Sequence, residues 1–383
     1  MSAPDASGSA LRAARLARSL SQGQLAEIAG VSRQAVAAVE SGRSEPSLRV
    51  ALVLADALGT SVEDLFGGER QAPERAAEPL APLGEPGSRA AVAPVAGRLV
   101  ATPLGAHSGV RSGFAAASAI VSGPRSVRPI GPIRPALLVA GCDPALGLLE
   151  APLAVLDPPF AFAWRSCGSG EALELAARGL VHAAGIHVRD PAGTYNLAAA
   201  SVRLPAGTPV LGFAAWRQGI ALRPGLGGRV RGVADLARLG LRIVNREPGS
   251  EARSILDREC AASGLDASAL PGYGSEAPGH LEVAAAVAAG LADAGIASEP
   301  AALAYGLELV PITEERFDLV LAPGLEDATE LHALRRVLAS PWLRAQLAAI
   351  PGYDVSPLAE HGALPELRPE TDDRARRRGR PPT

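Results

Sequence analysis

Lysine is absent from this sequence of 383 residues, so its 37 basic side chains are all arginines. Aromatic residues make up only 3%, and a hydrophobic core must therefore consist mainly of Ala, Val and Leu. The formal net charge is −3, which argues against sequence-independent binding of the whole chain to polyanions. Apolar residues make up 48% and charged residues 20%, a composition typical of a globular protein, and the length favours about two or three domains.

Cysteines are few and lie far apart, at Cys142, Cys167 and Cys260. Without Cys-x-x-Cys spacing they indicate neither a zinc site nor a disulfide framework, and we expect them to be small buried apolar residues. His182 and His187 are close in sequence, and we expect hydrogen-bonded, half-buried side chains there rather than metal ligands. We therefore predict no metal site.

Two other kinds of signal are missing. The N-terminus has no apolar signal region, and no run of about 18 apolar residues indicates a membrane span, so we expect a cytoplasmic protein with no membrane partner. The chain also lacks a nucleophile-elbow motif and a Ser-His-Asp order, so catalysis has little support and we expect that the protein is not an enzyme.

The stretch from Leu20 to Gly42 predicts two short amphipathic helices joined by a tight corner at Gly30. Ser21 and Ser32 are placed to cap them, because a serine oxygen can accept an unpaired N–H of a first helical turn. The inner faces are expected to consist of Leu25, Ile28 and Ala29 in one helix and Val31, Val36 and Val39 in the other. The outer face of the second helix is expected to present Arg33, Gln34, Ala37 and Ala38. Arginine and glutamine can make paired hydrogen bonds to guanine and adenine edges in a major groove.

This stretch resembles the lambda-repressor-like (Xre-type) helix-turn-helix family, and the resemblance runs from about Ala10 to Phe66. It implies an all-α domain of five helices over residues 9–66, which binds a double-stranded DNA operator as a homodimer on half-sites about one turn apart. Base contacts are implied for Arg33, Gln34 and Ala38, and a phosphate contact for Arg43. The candidate DNA-binding residues are Gln22, Gln24, Ser32, Arg33, Gln34, Ala38 and Arg43. The outer helices are predicted at Leu11–Leu20, Leu48–Leu58 and Val62–Phe66.

Residues 67–87 are rich in Gly, Pro, Ala and Glu without a sustained period, and we predict a flexible linker. Residues 88–135 hold short apolar runs between glycines and prolines. They predict a small β-rich connecting segment, with strands at Arg98–Ala101 and Ala119–Val121.

From Ala136 the pattern changes to apolar strands that alternate with helices, which favours α/β architecture. Buried strands are predicted at Ala136–Ala140, Phe160–Arg165, Leu241–Asn245 and Leu291–Ile296. Three strand ends open into turns that start helices, where free N–H groups suit an anion. These turns are Gly141–Pro144, Arg165–Gly170 and Asn245–Ser250.

Several motifs between Leu137 and Leu321 resemble the periplasmic-binding-protein-like, molybdate-binding-type domain that is often fused to helix-turn-helix regulators. The motifs are Val139–Leu146, Gly185–His187, Tyr195–Asn196, Trp216–Gly219, Val244–Arg246, Pro271–Tyr273 and Ala292–Ile296. The resemblance implies two α/β lobes over residues 136–360, with molybdate or tungstate as an effector in the cleft and no other cofactor. The candidate ligand residues are Asp143, Gly168, Ser169, Gly170, His187, Tyr195, Asn196, Arg246, Gly249, Ser250 and Arg253.

One motif departs from that family at the expected anion site. The family pattern is Asn-Arg-x-x-Gly-Ser-Gly-Thr-Arg, whereas this chain has Glu251 and Ala252 in place of the second Gly and the Thr. A carboxylate that points inward would repel an oxyanion, whereas one that points outward would only favour the helix N-terminus.

Residues 361–383 are polar and rich in arginine, and we predict a disordered tail. Arg378 and Arg380 belong to an Arg-Gly-Arg-Pro core like that of an AT-hook, which fits the narrow A·T minor groove. The alternative is a solvated tail that only adds salt-sensitive phosphate affinity.

Together these patterns predict a ligand-responsive one-component transcription regulator. Three alternatives remain: the ligand is a small organic acid, the C-terminal domain only dimerises, or the C-terminal domain is an enzyme.

Overall fold

The computed structural model describes residues 6–66, 72–105, 115–189 and 194–366. The chain forms two compact units, residues 1–73 and residues 74–383. The first unit contains five helices within its described part, which confirms the predicted all-α architecture. They are α1 (Ala6–Ala17), α2 (Gln22–Ala29), α3 (Arg33–Glu40), α4 (Leu48–Ala57) and α5 (Val62–Phe66).

The predicted caps and corner of the helix-turn-helix are confirmed. Ser21 and Ser32 accept backbone N–H groups at the starts of α2 and α3, and Gly30 ends α2 with a left-handed φ of 65°. Leu25 and Val36 are fully buried in the core of this unit.

The prediction for Ile28 is wrong, because this side chain is 58% exposed. The buried residues of α2 are Leu25, Ala26 and Ala29. At about 100° per residue, position 28 lies about 110° from the centre of that arc, so it faces away from the core. The predicted end of α1 at Leu20 is also too late, since Ser19 takes a left-handed φ of 56° after the helix ends at Ala17.

The second unit begins with a six-stranded sheet in the order β1-β6-β5-β3-β4-β2. Its strands are β1 (Arg75–Ala76), β2 (Glu78–Pro79), β3 (Arg89–Val95), β4 (Arg98–Pro103), β5 (Ala119–Gly123) and β6 (Ser126–Pro129). Both predicted strands of the connecting segment are therefore confirmed, as β4 and β5. The predicted linker needs a correction, because β1 and β2 lie within residues 67–87 and pair with β6 and β4.

The remaining strands form one sheet in the order β12-β11-β13-β10-β14-β9-β7-β8. Its strands are β7 (Ala136–Ala140), β8 (Ala161–Arg165), β9 (Ala183–Ile186), β10 (Pro209–Leu222), β11 (Ile243–Arg246), β12 (Glu276–Ala277), β13 (Ala294–Ser298) and β14 (Glu308–Leu321). Strand pairs β7–β8 and β7–β9 are parallel, as are β11–β12 and β11–β13. The four predicted strands of this region are confirmed with small shifts at their ends.

The long antiparallel strands β10 and β14, of 14 residues each, run through both halves of this sheet. At about 3.3 Å per residue each spans about 46 Å, which is enough to cross two lobes. The first lobe contains β7, β8 and β9 beside the Pro209 end of β10, and the second contains β11, β12 and β13 beside its Leu222 end. This arrangement confirms the predicted two-lobed α/β domain.

Each lobe has a hydrophobic core on both faces of the sheet. Helices cover these faces, and the helices are α6 (Glu150–Ala154), α7 (Ser169–Ala177), α8 (Leu197–Ser201), α9 (Val233–Leu239), α10 (Glu251–Ala262), α11 (His280–Ala288), α12 (Glu299–Ala304), α13 (Thr329–Leu338) and α14 (Pro341–Ala348). None of the helices in the described ranges is long and apolar enough to cross a membrane.

The domain also extends beyond its predicted end at residue 360. Two short strands, β15 (Tyr353–Asp354) and β16 (His361–Ala363), pair with β10. The predicted tail over residues 361–383 therefore begins too early, because β16 satisfies its backbone groups on the edge of β10.

Candidate ligand cleft and DNA-binding surface

The start of α3 presents the predicted base-reading side chains to solvent. Arg33 and Gln34 are its first two residues, and both are exposed. Neither side chain makes a hydrogen bond to another residue in the described part of the unit, so both are available to a partner. Ala38 lies half-buried further along the same helix.

Other predicted DNA-binding residues have structural contacts. Gln24 completes a capping box with Ser21, and Ser32 caps α3. Arg43 is exposed, and its Nε donates to Ser41 Oγ over 2.9 Å. Arg378 and Arg380 lie outside the described residues.

Gln22 is half-buried and hydrogen-bonds to a buried ion pair. Its Nε2 donates to Glu40 Oε2 over 2.8 Å. Arg15 makes two further contacts with the same carboxylate, from Nε to Oε1 over 2.6 Å and from Nη2 to Oε2 over 3.0 Å. The side chains of Arg15 and Glu40 are only 8% and 4% exposed, so this ion pair ties α1 to the end of α3.

In the second unit, the cleft between the lobes collects buried polar side chains from several elements. Cys142 follows β7 and His187 follows β9 in the first lobe, whereas His280 begins α11 in the second. Cys142 Sγ lies 3.1 Å from His187 Nε2, and the rings of His187 and His280 have centroids 5.9 Å apart. The ligand atoms of the three residues all lie within 4.8 Å of one another.

The crossing strands contribute a second group of side chains on one face. Trp216 of β10 lies opposite Glu315 of β14, and Gln218 lies two residues further along β10 on the same side. Glu315 Oε2 accepts from His187 Nδ1 over 3.2 Å, and the Trp216 ring lies 5.7 Å from the His187 ring. A β-bulge between Gln218 and Gly219 sits here, where a Cβ on residue 219 would lie 2.1 Å from Val310 O.

Several buried polar atoms in this cleft have no hydrogen-bond partner among the described residues. They are Trp216 Nε1, Gln218 Nε2 and Oε1, both ring nitrogens of His280, Glu315 Oε1 and Asp143 Oδ2. An unpaired buried polar group costs about 1–3 kcal/mol. So many together at the junction of two lobes indicate a site that a ligand completes.

The two cleft histidines have opposite pKa shifts. Burial disfavours the charged form of His187, but its contacts with Cys142 and Glu315 outweigh burial and raise its pKa well above the usual range. Burial, together with the charges of Arg246 and His187, lowers the pKa of His280 well below the usual range. His280 is therefore neutral at pH 7 and keeps a free lone pair.

The two predicted anion-binding arginines already pair with carboxylates. Arg246 is 2% exposed and donates from Nε and Nη2 to Glu247, over 2.8 Å each. Arg253 donates to Glu276 over 2.7 Å and to Arg246 O over 3.1 Å. The cleft therefore has less free positive charge than two guanidinium groups suggest.

The small predicted residues line the helix starts. Ser169 is buried at the start of α7, and its Oγ accepts from His187 N over 3.1 Å. Ser250 is buried and caps α10. Gly168 precedes α7, Gly170 is exposed within it, and Gly249 has a left-handed φ of 86° before the α10 cap.

Three other predicted ligand residues have structural partners. The Tyr195 hydroxyl donates to Glu314 O. Asn196 Oδ1 accepts from Val188 N, and its Nδ2 donates to Arg316 O and Asp318 Oδ2. Asp143 Oδ1 accepts from Ala145 N and from the Tyr353 hydroxyl, while burial raises the pKa of Asp143 from 3.8 to about 6.

Glu251 takes neither of the two orientations considered from the sequence. Its side chain is mostly buried, and Oε1 accepts from Arg258 Nη1 over 2.9 Å. Burial raises its pKa. The negative charge of Glu315 adds to this increase, whereas the positive charge of His187 opposes it. The carboxylate is thus near the cleft but paired with a cation.

Sequence reasoning missed Cys142, Trp216, Gln218, His280 and Glu315 as site residues. Cys142 is buried as expected, but its contact with His187 shows that it is more than a small apolar residue. His182 instead accepts from Leu138 N over 3.0 Å within the first lobe. A polar residue inside an apolar strand, as at Gln218, is a sequence feature that could have indicated a site residue. The sequence around His280 has no such feature.

Comparison with known proteins supports both domains. A model of the PBP superfamily domain matches residues 151–339, and a helix-turn-helix model matches residues 11–65. The uncharacterized protein YvgK of Bacillus subtilis is 29% identical over 226 residues, which cover 58% of this chain and 71% of that protein.

An uncharacterized HTH-type transcriptional regulator of Methanocaldococcus jannaschii is 42% identical over 52 residues, which cover 14% of this chain and 79% of that protein. The tungstate ABC transporter structure from Geobacter sulfurreducens aligns with 14% identity and a TM-score of 0.42, over 55% of this chain and 97% of that one. The chain belongs to the Xre-like helix-turn-helix regulators and carries a PBP-like ligand-binding domain after its DNA-binding domain.

Proposed function

We propose that this protein is a one-component transcription regulator that binds a DNA operator as a homodimer and responds to a small ligand in the C-terminal cleft. The ligand is an oxyanion such as molybdate or tungstate, as the resemblance of the cleft motifs implies. Ligand binding changes the affinity of the helix-turn-helix unit for its operator. Coupling of this kind is typically about 1–3 kcal/mol.

The observation that carries this proposal is the group of unpartnered polar atoms between the lobes. A domain that only dimerises has no use for buried, unsatisfied Trp, Gln and His side chains, whose total cost is several times the about 1–3 kcal/mol of one such group. The cleft is therefore better explained as a ligand site than as a remnant.

Donors for an oxyanion are present in the cleft. Trp216 Nε1–H and Gln218 Nε2–H are buried and unpaired in the described structure, and α7 and α11 begin without a side-chain cap. Helix N-termini of this kind favour negative charge.

A second candidate ligand is a small organic acid that also carries a hydroxyl or amino group. Glu315 Oε1 and Gln218 Oε1 are buried acceptors without a donor among the described residues, and a fully deprotonated oxyanion cannot satisfy them. An organic acid with its own N–H or O–H would satisfy both kinds of group.

Homodimer formation has support from the surface of α4. Leu48 and Leu52 lie one turn apart, and they are 73% and 54% exposed. The N-terminal helical unit has six arginines and seven acidic residues over positions 1–66, so a single copy gains little from electrostatic attraction to the DNA phosphates. Two copies on paired half-sites would supply the missing affinity.

A thermal-shift series tests the cleft. Full-length protein is heated with molybdate, tungstate, sulfate, phosphate and simple or hydroxylated carboxylates. A ligand at about 100 times its Kd stabilises the native state by about 2.7 kcal/mol, which corresponds to about 5–10 °C in a domain of this size.

The matched pair of tryptophan variants makes that series specific. Trp216→Phe keeps an aromatic side chain, although a smaller one, and removes the buried N–H, so it should reduce the ligand-induced shift. Trp342→Phe makes the same exchange at a tryptophan that is 44% exposed and should leave the shift unchanged. Equal shifts in both variants would remove the cleft from the binding site.

Replacing Arg33 or Gln34 with Ala should weaken binding to a DNA site selected from a random library by about 1–3 kcal/mol and relax base preference. The reason is the loss of paired hydrogen bonds to base edges. Fluorescence anisotropy measures the affinity, and Arg229→Ala, an exposed arginine of the other unit, serves as the control. Unchanged affinity and base preference in both variants would reject α3 as the recognition helix.

A further inference from the structure

We propose that Cys142, His187 and His280 form a binding site for a divalent transition-metal ion of the Zn²⁺ class, with one coordination position left open. The site joins the two lobes, because Cys142 and His187 belong to the first lobe and His280 to the second. This inference rests on the proposed function only in taking the cleft as the ligand site.

The donor set fits such an ion. Thiolate sulfur and imidazole nitrogen favour Zn²⁺ and similar borderline ions over Mg²⁺ or Ca²⁺, and three protein ligands plus an open position are typical of reactive zinc sites. In a tetrahedral Zn²⁺ site the ligand atoms lie about 3.3–3.6 Å apart, given bonds of about 2.0–2.3 Å. Here Cys142 Sγ and His187 Nε2 are 3.1 Å apart, and all three ligand atoms are within 4.8 Å of one another.

The surroundings of His187 fit a metal ligand as well. Its Nδ1 faces Glu315 over 3.2 Å, while its Nε2 faces Cys142. A carboxylate on one nitrogen fixes the tautomer and directs the lone pair of the other nitrogen to the ion, as in carboxylate–histidine–zinc arrangements. Glu315 is thus a positioning residue.

His280 is the independent observation that points to a ligand. Its side chain is 1% exposed, and neither ring nitrogen has a hydrogen-bond partner within the described residues. A buried imidazole is normally hydrogen-bonded at one nitrogen at least. Coordination to an ion beside Cys142 and His187 would satisfy it.

Charge also favours a cation here. A Cys142 thiolate and the Glu315 carboxylate together balance the two positive charges of the ion, and binding displaces the protons held between Cys142 Sγ and His187 Nε2. Arg246 lies nearby but is paired with Glu247. The bound ion would supply the positive charge that the paired arginines do not, so that an oxyanion or carboxylate effector completes its open position beside Trp216 and Gln218.

Cobalt(II) binding tests the site directly. Full-length protein is dialysed against a chelator and titrated with Co²⁺, whose thiolate charge-transfer band and tetrahedral ligand-field bands report Cys and His ligation. We expect one equivalent to bind, and Zn²⁺ to displace it. Cys142→Ser should lose the charge-transfer band, while Cys260→Ser, a buried cysteine in the second-lobe core, should keep it.

Histidine and glutamate variants add readouts that a folding defect would not reproduce. His280→Ala should weaken Co²⁺ binding by at least about 100-fold and Glu315→Gln by about 10–100-fold with the band retained, whereas the exposed His332→Ala should bind like wild type. Near-ultraviolet circular dichroism checks that each variant is folded. Absence of the band in wild type, or Co²⁺ binding in Cys142→Ser equal to that of wild type, would overturn the inference.

The same samples separate this inference from the proposed function. If molybdate or a carboxylate still shifts the melting temperature of the metal-free protein and alters DNA binding while no metal band appears, the metal site is rejected and the sensor stands. If Co²⁺ binds through Cys142 but no ligand changes DNA affinity, the metal site stands and the sensor is rejected.

Discussion

Replacing Glu40 with Gln is expected to lower the free energy of unfolding of the N-terminal helical unit by about 3 kcal/mol. The substitution leaves the guanidinium of Arg15 buried without its counter-ion, because both side chains are less than a tenth exposed. The amide can still accept one hydrogen bond, so the loss reflects the uncompensated charge. Hydrogen exchange of peptides from residues 6–66 in the full chain measures this unit separately from the rest.

A double variant shows whether the cost comes from a broken pair. Arg15→Met with Glu40→Leu removes both charges at similar volume, and replacing a whole buried pair by apolar residues is often neutral or stabilising. We expect this double variant to be closer to wild type than Glu40→Gln is. If the Glu40→Gln variant has the same protection from hydrogen exchange as wild type, water already screens the charges of the Arg15–Glu40 pair.

Replacing Asp143 with Asn should change how stability depends on pH. Burial raises the pKa of Asp143 from 3.8 to about 6, so the folded state binds its proton more tightly than the unfolded state does. That contribution to stability is fully present below about pH 4 and is lost as the pH rises through about 6. The unfolding free energy of the Asn variant, relative to wild type, should therefore grow by about 2.4 kcal/mol between pH 4 and pH 7.

Denaturant unfolding at several pH values checks this, since titrations elsewhere in the protein largely cancel in the difference. Tyr353→Phe is a second variant for this test. The Tyr353 hydroxyl donates to Asp143 and favours the charged carboxylate, so its removal should shift the pH range over which stability is lost to higher pH. A difference between the Asn variant and wild type that stays constant with pH would contradict the raised pKa of Asp143.

Helices and strands that depend on short sequence patterns could be predicted, whereas contacts between elements that lie far apart in the sequence could not. Serine caps and the left-handed Gly30 determine the helix-turn-helix, and the apolar run at Ala136–Ala140 determines β7. The prediction that Ile28 is buried was wrong because, in a helix of only two turns, the sequence does not show on which side of the core-facing residues the apolar face ends. The prediction of a flexible linker was wrong because β1 and β2 are very short and pair with strands far along the chain.

The cleft shows the same limit. The predicted turns after strands include Cys142 and Arg246, because strand ends meet at one edge of a sheet, whereas His187 was named only through the family resemblance. The approach of His280 to Cys142 depends on how two lobes close around β10 and β14, which no local spacing encodes. Tyr195 and Asn196 were assigned to the ligand, yet their polar atoms are taken up by β14 and by backbone groups near it.

The most direct test of the whole account is the affinity of the full-length protein for its selected operator, with and without the ligand that stabilises the cleft. Fluorescence anisotropy at one salt concentration gives both Kd values, and Trp216→Phe serves as the ligand-insensitive reference. We expect the ligand to change operator Kd by about 5–150-fold in wild type and much less in the variant. Superimposable binding curves, at ligand concentrations that saturate the cleft, would contradict the claim that this cleft controls DNA binding.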